Sequence, residues 1–341
     1  MSAPISSTMR AAVIDRFGGP EELHVAAVPT PQPREGQVLV RVAYAGVNPA
    51  DWKCREGWLA TFFEYRFPFI VGFDAAGVVA ALGAGVTDFA LGDRVVTASN
   101  QGMGAWGSYA EYVISDVERV VRLPKELGLV EAATIPTAGM TAWEAVFDVA
   151  GTRTGQRVLV HGGAGGTGSF AIQLARMVGA RVATTCSAPN AEYVRSLGAE
   201  LAIDYRTETV ANAVRGWAPD GLDLIVDTVG QGTLLESVDL VRRGGVVAPI
   251  ATLVSNEPQP DLARAEANGV RHVPTMSTLP NQARQLRELV AAMATGKLRA
   301  PAVEILELQE AGEAHRRVQA GHVRGKLLLR VWGDELAGEP R

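Results

Sequence analysis

The stretch 156–180, QRVLVHGGAGGTGSFAIQLARMVGA, limits what this chain can fold into more than any other. Arg157 to His161 is a short apolar run suited to a buried strand. From Ser169 onward, Phe170, Leu174 and Met177 or Val178 return at helical intervals. Between the two, Gly163, Gly165 and Gly168 give a G-x-G-x-x-G spacing, with Ala164, Gly166 and Thr167 filling the other places. Glycines permit a tight bend and close backbone approach, and the helix start turns unpaired N–H groups toward a diphosphate. A glycine-rich turn alone is a weak signal. Here a strand precedes it and a helix follows, which the dinucleotide reading requires.

The segments after this turn alternate strand and helix. Strands are predicted at 181–185, 201–205, 222–227 and 245–250, with a possible sixth at 272–276; helices are predicted at 191–197, 209–216 and 233–241. That alternation predicts an α/β doubly wound parallel sheet of Rossmann type, with ligands bound beyond the carboxyl ends of its strands. The first part of the chain reads instead as β-rich, with strands at 10–15, 23–28, 38–44, two more within 77–96, and one over 105–113. AGVNPADWKCREG (45–57) reads as a polar turn. Residues 127–149 read as mostly helical and as the passage between the two parts, while the tail reads as a helix over 281–295, then EILEL, another helix and the strand KLLLRVW.

A net charge of −5 supplies no basic field for nucleic acid or an acidic membrane surface. No apolar run reaches the roughly 18 residues of a membrane span, and MSAPISSTMR has no apolar signal core. Only Cys54 and Cys186 occur, which points away from a disulfide framework and toward the cytoplasm. Two cysteines cannot build a four-cysteine zinc lobe, and His24, His161, His272, His315 and His322 form no close pair on a helix face, so no metal is expected. His161 is read as a polar neighbour of the cofactor.

Counting about 20 residues on from the glycine turn reaches Cys186 and Ser187, where an NAD-selective site carries an acid. No Asp or Glu occurs between Arg181 and Ala191, and Arg195 and Arg206 are the nearest cations. A carboxylate there would repel a 2′-phosphate and small neutral groups admit it, so NADPH is expected, with NADH possible. Trp58, Phe62, Phe63, Tyr65, Phe67 and Phe69 crowd residues 58–69. They read equally as core or as an apolar substrate wall.

Together these motifs resemble the zinc-independent medium-chain dehydrogenase/reductases, in the quinone oxidoreductase (zeta-crystallin-like) branch. The resemblance runs from Met9 to Val331 through GVNPADWK, VGFDAAGVV, GDRV, GSYAEY, AATIPTAGMTAWEAV, VHGGAGGTGSFAIQLAR, LGAELAIDY, DTVG and GHVRGKLLL. Asn48 stands where zinc-dependent relatives carry a cysteine ligand, and Gly72-Phe73-Asp74 where they carry Gly-His-Glu. The resemblance implies a GroES-like, mainly-β catalytic domain (1–132 and 277–341) with the Rossmann domain (133–276) inserted, an active site in the cleft, and a homodimer. It implies reduction of a small apolar quinone or an enone. Thr141 and the backbone near Val229, Ile250 and Ala251 would lie by the nicotinamide, and Tyr205 by the adenosine phosphate. Asn190 stands where some relatives carry a phosphate-binding lysine. By the resemblance Asn48 would face the nicotinamide ribose or the substrate carbonyl; Asn48 or Tyr65 could donate to that carbonyl, although Asn48 could equally just close its Asn-Pro turn and Tyr65 be a core phenol. Two other readings stay open: an enoyl-thioester reductase, and a nucleotide-binding partner protein with little turnover.

Overall fold

The computed structural model describes residues 5–230, 232–250, 260–275 and 279–333, so Ala251 and Met276 lie outside the described residues. The chain divides into two compact units. One comprises Met1–Thr137, Gln282–Gly296 and Ala302–Arg341; the other comprises Ala138–Asn281 and Lys297–Pro301.

In the first unit, β1 (Thr8–Ile14) pairs antiparallel with β2 (His24–Pro29) and with β4 (Phe69–Ile70). A larger sheet is centred on β3 (Gln37–Val47), flanked by β5 (Asp74–Leu82), with β6 (Arg94–Ala98) and β8 (Val120–Arg122) beyond it. β7 (Tyr112–Asp116) also pairs with β3. β3 carries apolar residues on both faces, and Val38, Leu39, Val40, Val42 and Ala43 are all buried. Its register with β5 shifts after Leu39 and again after Val42, the bulges by which one long strand bends to serve several neighbours. Gly77 in β5 has to be glycine: a Cβ there would lie 1.9 Å from the Arg41 carbonyl oxygen.

Two expectations for this unit fail. Residues 49–55, read as a polar turn, form helix α1 (Pro49–Arg55), with Asn48 as N-cap and Asp51 closing onto the Asn48 N–H at 2.7 Å. Asn-Pro followed by an acid at the third position is a helix-start signal, and polarity masked it. The strand expected over 105–113 begins only at Tyr112. Gly107 passes so close to Val71 that a Cβ would sit 2.3 Å from its carbonyl carbon, and the segment runs as a loop.

The second unit holds a six-stranded, wholly parallel sheet. Its strands are β9 (Arg157–His161), β10 (Arg181–Cys186), β11 (Leu201–Asp204), β12 (Leu222–Asp227), β13 (Val241–Pro249) and β14 (Arg271–His272), in the order β11-β10-β9-β12-β13-β14. The chain starts at the centre, builds outward one way, then returns to build the other way. The order therefore reverses between β9 and β12, where His161 and Asp227 are register partners. One face packs Leu159, Ile203, Val214, Ile225 and Val247 into a single core.

The tail returns to the first unit. β15 (Val303–Glu307) runs parallel to β16 (Lys326–Arg330), and β16 pairs antiparallel with the end of β3, setting Leu327 against Val47. Gly325 delivers this strand: its φ is +69°, and a Cβ would lie 1.9 Å from the Ala302 oxygen.

Candidate active site

The glycine turn owes its shape to steric limits on three sides. Gly162 sits at φ +71°, its N–H donating to Thr185 Oγ1 at 3.0 Å. A Cβ on Gly163 would lie 2.0 Å from Thr184 Oγ1, and one on Gly168 2.3 Å from the Gly162 oxygen, so strand, turn and helix can close only with glycine there. Gly165 differs. Its backbone is extended, and a Cβ would meet only the Gly162 oxygen at 3.5 Å, an ordinary contact. It is the N-cap of α4 (Gly166–Met177), whose first intrahelical bond is Ser169 N–H to Gly165 O. The amides of Gly166, Thr167 and Gly168 therefore have no acceptor within the helix. A glycine the fold does not itself demand, beside three amides without an intrahelical acceptor, fits a diphosphate.

The other expected cofactor residues gather at the same edge of this sheet. Ser187 and Asn190 follow β10, with Asn190 Nδ2 donating to Ser187 Oγ at 3.2 Å. Tyr205 and Arg206 follow β11 and are exposed, the guanidinium lying 5.7 Å from the phenol ring centre. Ile250 follows β13, its N–H donating to Asp227 O at 2.8 Å, and Val229 lies half-exposed just past β12. Thr141, on the helix Pro136–Trp143, is half-buried in the same unit. Asp227 is the residue the sequence reading missed. Its buried carboxylate accepts the Val229 and Gly230 N–H groups, each at 2.9 Å, and the Thr233 hydroxyl at 2.7 Å, holding the loop that carries Val229. Only the acid at a strand end, in Asp-Thr-Val-Gly, hinted at this. His161 is buried beside it, its Nδ1 3.4 Å from Thr185 Oγ1, and burial lowers its pKa so that the ring stays neutral. Cys186 is buried, and burial raises its thiol pKa.

In the first unit, Asn48 lies in a buried polar cluster. Its Nδ2 donates to Asp74 Oδ2 at 2.9 Å, and its Oδ1 accepts from Lys326 Nζ at 2.5 Å. Lys326 Nζ also reaches the Val47 carbonyl (3.2 Å) and Asp74 Oδ2 (3.3 Å), while Asp74 Oδ1 accepts the Thr137 N–H and hydroxyl. Asp74 is 0% exposed and Lys326 4%. Behind them, Asp51 takes the Asn48 N–H, the Phe73 N–H and the Tyr109 hydroxyl. Tyr109 contacts His315 Nε2, whose Nδ1 faces Arg55. Because Arg55 can only donate, His315 carries its proton on Nε2.

Tyr65 stands apart from Asn48's partners. Its ring packs edge-on to Phe17 (4.8 Å) and tilted against Phe69 (4.6 Å), while its hydroxyl is buried beside the Cys54 thiol. Burial pushes both the phenol and the thiol well above their usual pKa values. That is the position of a core phenol. The aromatic segment divides accordingly: Phe69 is core, whereas Phe62 is 71% exposed, Trp58 meets Trp52 edge to face at 5.0 Å, and Phe63 leans on Phe73. Phe73 directly precedes Asp74, and its N–H donates to Asp51 Oδ1 at 3.1 Å.

Residues 34–125 match the alcohol dehydrogenase GroES-like domain family, and residues 197–329 match the zinc-binding dehydrogenase family. Human quinone oxidoreductase is 30% identical over 326 residues, 94% of this chain and 97% of that protein. The chain belongs to the quinone oxidoreductase branch of the medium-chain dehydrogenase/reductase family. That family is nicotinamide-dinucleotide-dependent, and the chain has its GroES-like domain and Rossmann-like parallel sheet. The 2-methylene-furan-3-one reductase of Solanum lycopersicum is 37% identical over 262 residues, which make up 74% of this chain but span only 65% of that protein. A mycobacterial protein solved in complex with NADPH superposes with a TM-score of 0.85 at 30% identity, covering 95% of this chain and 100% of that one.

The donor set does not suit the zinc of this family's metal-binding members. Phe73 offers no donor atom, and the Lys326 ammonium already holds Asn48 Oδ1 and Asp74 Oδ2. Among the described residues no three His, Cys, Asp or Glu side chains form a ligand group. Among them also, no helix is long and apolar enough to cross a membrane.

The cluster has a pH signature. Burial, then Asp74, raises the Asp51 pKa from 3.8 to about 7. The folded state therefore holds a proton that the unfolded chain has released, and this contribution to stability fades as pH rises from about 4 through 7. His315 works oppositely. Burial, then Arg55, lowers its pKa to about 3, so its contribution fades as pH falls below 6.5. The two partly cancel in the native protein. Asp51→Asn removes one of them, and its melting temperature should rise with pH relative to the parent between pH 4 and 7 in calorimetry. A constant offset between the two curves would contradict the assignment.

Proposed function

We propose that this protein uses NADPH to reduce quinones or α,β-unsaturated carbonyl compounds, without a metal. The observation that carries this reading is the cradle at the start of α4, where Gly165 leaves room that the fold does not need. The amides of Gly166, Thr167 and Gly168 would hold the diphosphate. Ser187, Asn190, Tyr205 and Arg206 would line the adenosine end, and the backbone at Val229 and Ile250, with Thr141, the nicotinamide end. A bound nicotinamide dinucleotide supplies the hydride.

What the chain must add is modest. Asn48 would offer its remaining amide hydrogen to the acceptor's carbonyl oxygen, where negative charge develops. Trp58, Phe63 and Phe73 would exclude water and favour a planar apolar acceptor. The names of the human and tomato relatives support this substrate class. Tyr65 is not needed for the reaction in this arrangement. We also propose that the first unit serves as the catalytic domain and the second as the nucleotide domain, and that the protein works as a homodimer.

NADPH is favoured because β10 ends in Cys186 with no carboxylate before Ala191, while Arg195 and Arg206 stand nearby. Asp204, the register partner of Cys186, is tied to the Arg206 N–H and the Thr207 hydroxyl of its own turn. Cys186→Asp should therefore shift preference from NADPH toward NADH, read as kcat/KM for each coenzyme; an unchanged ratio would place the selecting residue elsewhere. The reading as a whole is tested by NADPH oxidation against quinones, enones, enoyl thioesters and simple ketones. Turnover with the first two classes and none with simple ketones is expected. No turnover with either quinones or enones would refute it.

A further inference from the structure

The orientation of the Asn48 carboxamide is decided by neighbours of opposite character. Lys326 can only donate, and Asp74, as a carboxylate, can only accept. Rotating the amide by a half-turn would set its NH₂ against an ammonium and its oxygen against a carboxylate, so Oδ1 must face Lys326 and Nδ2 must face Asp74. One Nδ2 hydrogen is then spent on Asp74. The other points in a fixed direction and has no acceptor among the described residues.

The ammonium is placed with unusual care for a lysine. Lys326 opens β16 immediately after Gly325, which no other residue could replace without striking Ala302. Its N–H is anchored to Ala302 O at 2.8 Å, and all three of its ammonium hydrogens have acceptors: Val47 O, Asn48 Oδ1 and Asp74 Oδ2. Burying a lysine head costs several kcal/mol unless it is fully paired, and a well-packed apolar pair in place of Lys326 and Asp74 would commonly serve a fold as well. A cation on the amide oxygen also draws charge from the amide, making the free N–H a stronger donor.

We propose that Lys326 is a positioning residue for the reaction, acting through Asn48: its ammonium locks and polarises the carboxamide so that the free N–H serves the acceptor's carbonyl oxygen. This rests on the reading of Asn48 given above. In this role Lys326 replaces, with a side-chain cation, the charge that a metal supplies elsewhere. It touches neither substrate nor coenzyme.

The test is a double-mutant cycle on the full chain with 1,4-naphthoquinone and methyl vinyl ketone as acceptors. Thermal melts and NADPH fluorescence titrations confirm that each variant folds and binds coenzyme. Asn48→Ala should lower kcat by about 100-fold, as for loss of one oxyanion donor. Lys326→Met should lower kcat by about 10-fold with little change in KM. In the Asn48→Ala background, Lys326→Met should cost nothing further in kcat. Should Lys326→Met fold poorly, Asp74→Asn/Lys326→Met removes both charges, and its loss of kcat should likewise vanish in the Asn48→Ala background. Independent, multiplicative losses would overturn the proposal while sparing the reading of Asn48, as would wild-type kcat in Lys326→Met. Wild-type kcat in Asn48→Ala would overturn both.

Discussion

Replacing Gly165 by alanine is expected to leave the fold intact and weaken coenzyme binding by about 100-fold. The added methyl meets only an ordinary 3.5 Å contact with Gly162 O, and the extended backbone at 165 suits any residue, so the melting temperature should stay within about a degree. In the proposed binding mode the same methyl would stand between the diphosphate and the amides of Gly166 and Thr167. Losing two charge-assisted bonds, at roughly 1.5 kcal/mol each, gives about two orders of magnitude in affinity. Gly168→Ala is the control with the opposite outcome. Its Cβ would lie 2.3 Å from backbone oxygen, so the turn itself must move, and melting temperature and binding should fall together. Fluorescence titration with NADPH and a thermal melt on each variant separate the two cases. Equal NADPH affinity in Gly165→Ala and the parent would mean that the diphosphate lies elsewhere.

The second large effect belongs to Asp74. Asp74→Ala strands the Lys326 ammonium in the interior and removes the acceptor of Asn48 Nδ2, the Thr137 N–H and the Thr137 hydroxyl. Breaking a buried pair by removing one partner costs about 3–5 kcal/mol. In a unit of this size that is roughly 10 °C in melting temperature. Removing both charges in Asp74→Asn/Lys326→Met should recover most of this loss, because the cost lies in the unpaired charge rather than in the absence of the bridge. Calorimetry on the single and double variants measures both. A single variant as stable as the parent would show that water reaches this cluster.

The second unit was largely legible in the sequence because its signals are local. Strand, glycine turn and helix are contiguous in 157–177, the parallel strands are short apolar runs, and the strand order follows from alternation with helices. The first unit was less so. Its sheet joins Leu327 to Val47 across most of the chain, and no local pattern announces that a lysine opening KLLLR is buried among Asn48 and Asp74, since charged residues are by default solvated. The same bias toward reading polar residues as surface turned α1 into a loop and hid the Arg55–His315–Tyr109–Asp51 chain. Asn48 was singled out from resemblance alone. Its partners, which decide what its amide can do, needed three-dimensional structure. Tyr65 shows the converse: an aromatic acid beside a polar turn looked chemically useful, and packing against Phe17 and Phe69 buried its hydroxyl.

The central claim is that a dinucleotide held at the start of α4 delivers hydride to a conjugated carbonyl compound. The most direct measurement uses NADPH deuterated at the nicotinamide C4 position with an α,β-unsaturated ketone, and locates the label in the product by mass spectrometry and NMR. One deuterium on the β-carbon, from one of the two C4 faces only, is the predicted result. Product without deuterium from coenzyme labelled on either face, or with deuterium on the carbonyl carbon, would contradict the account.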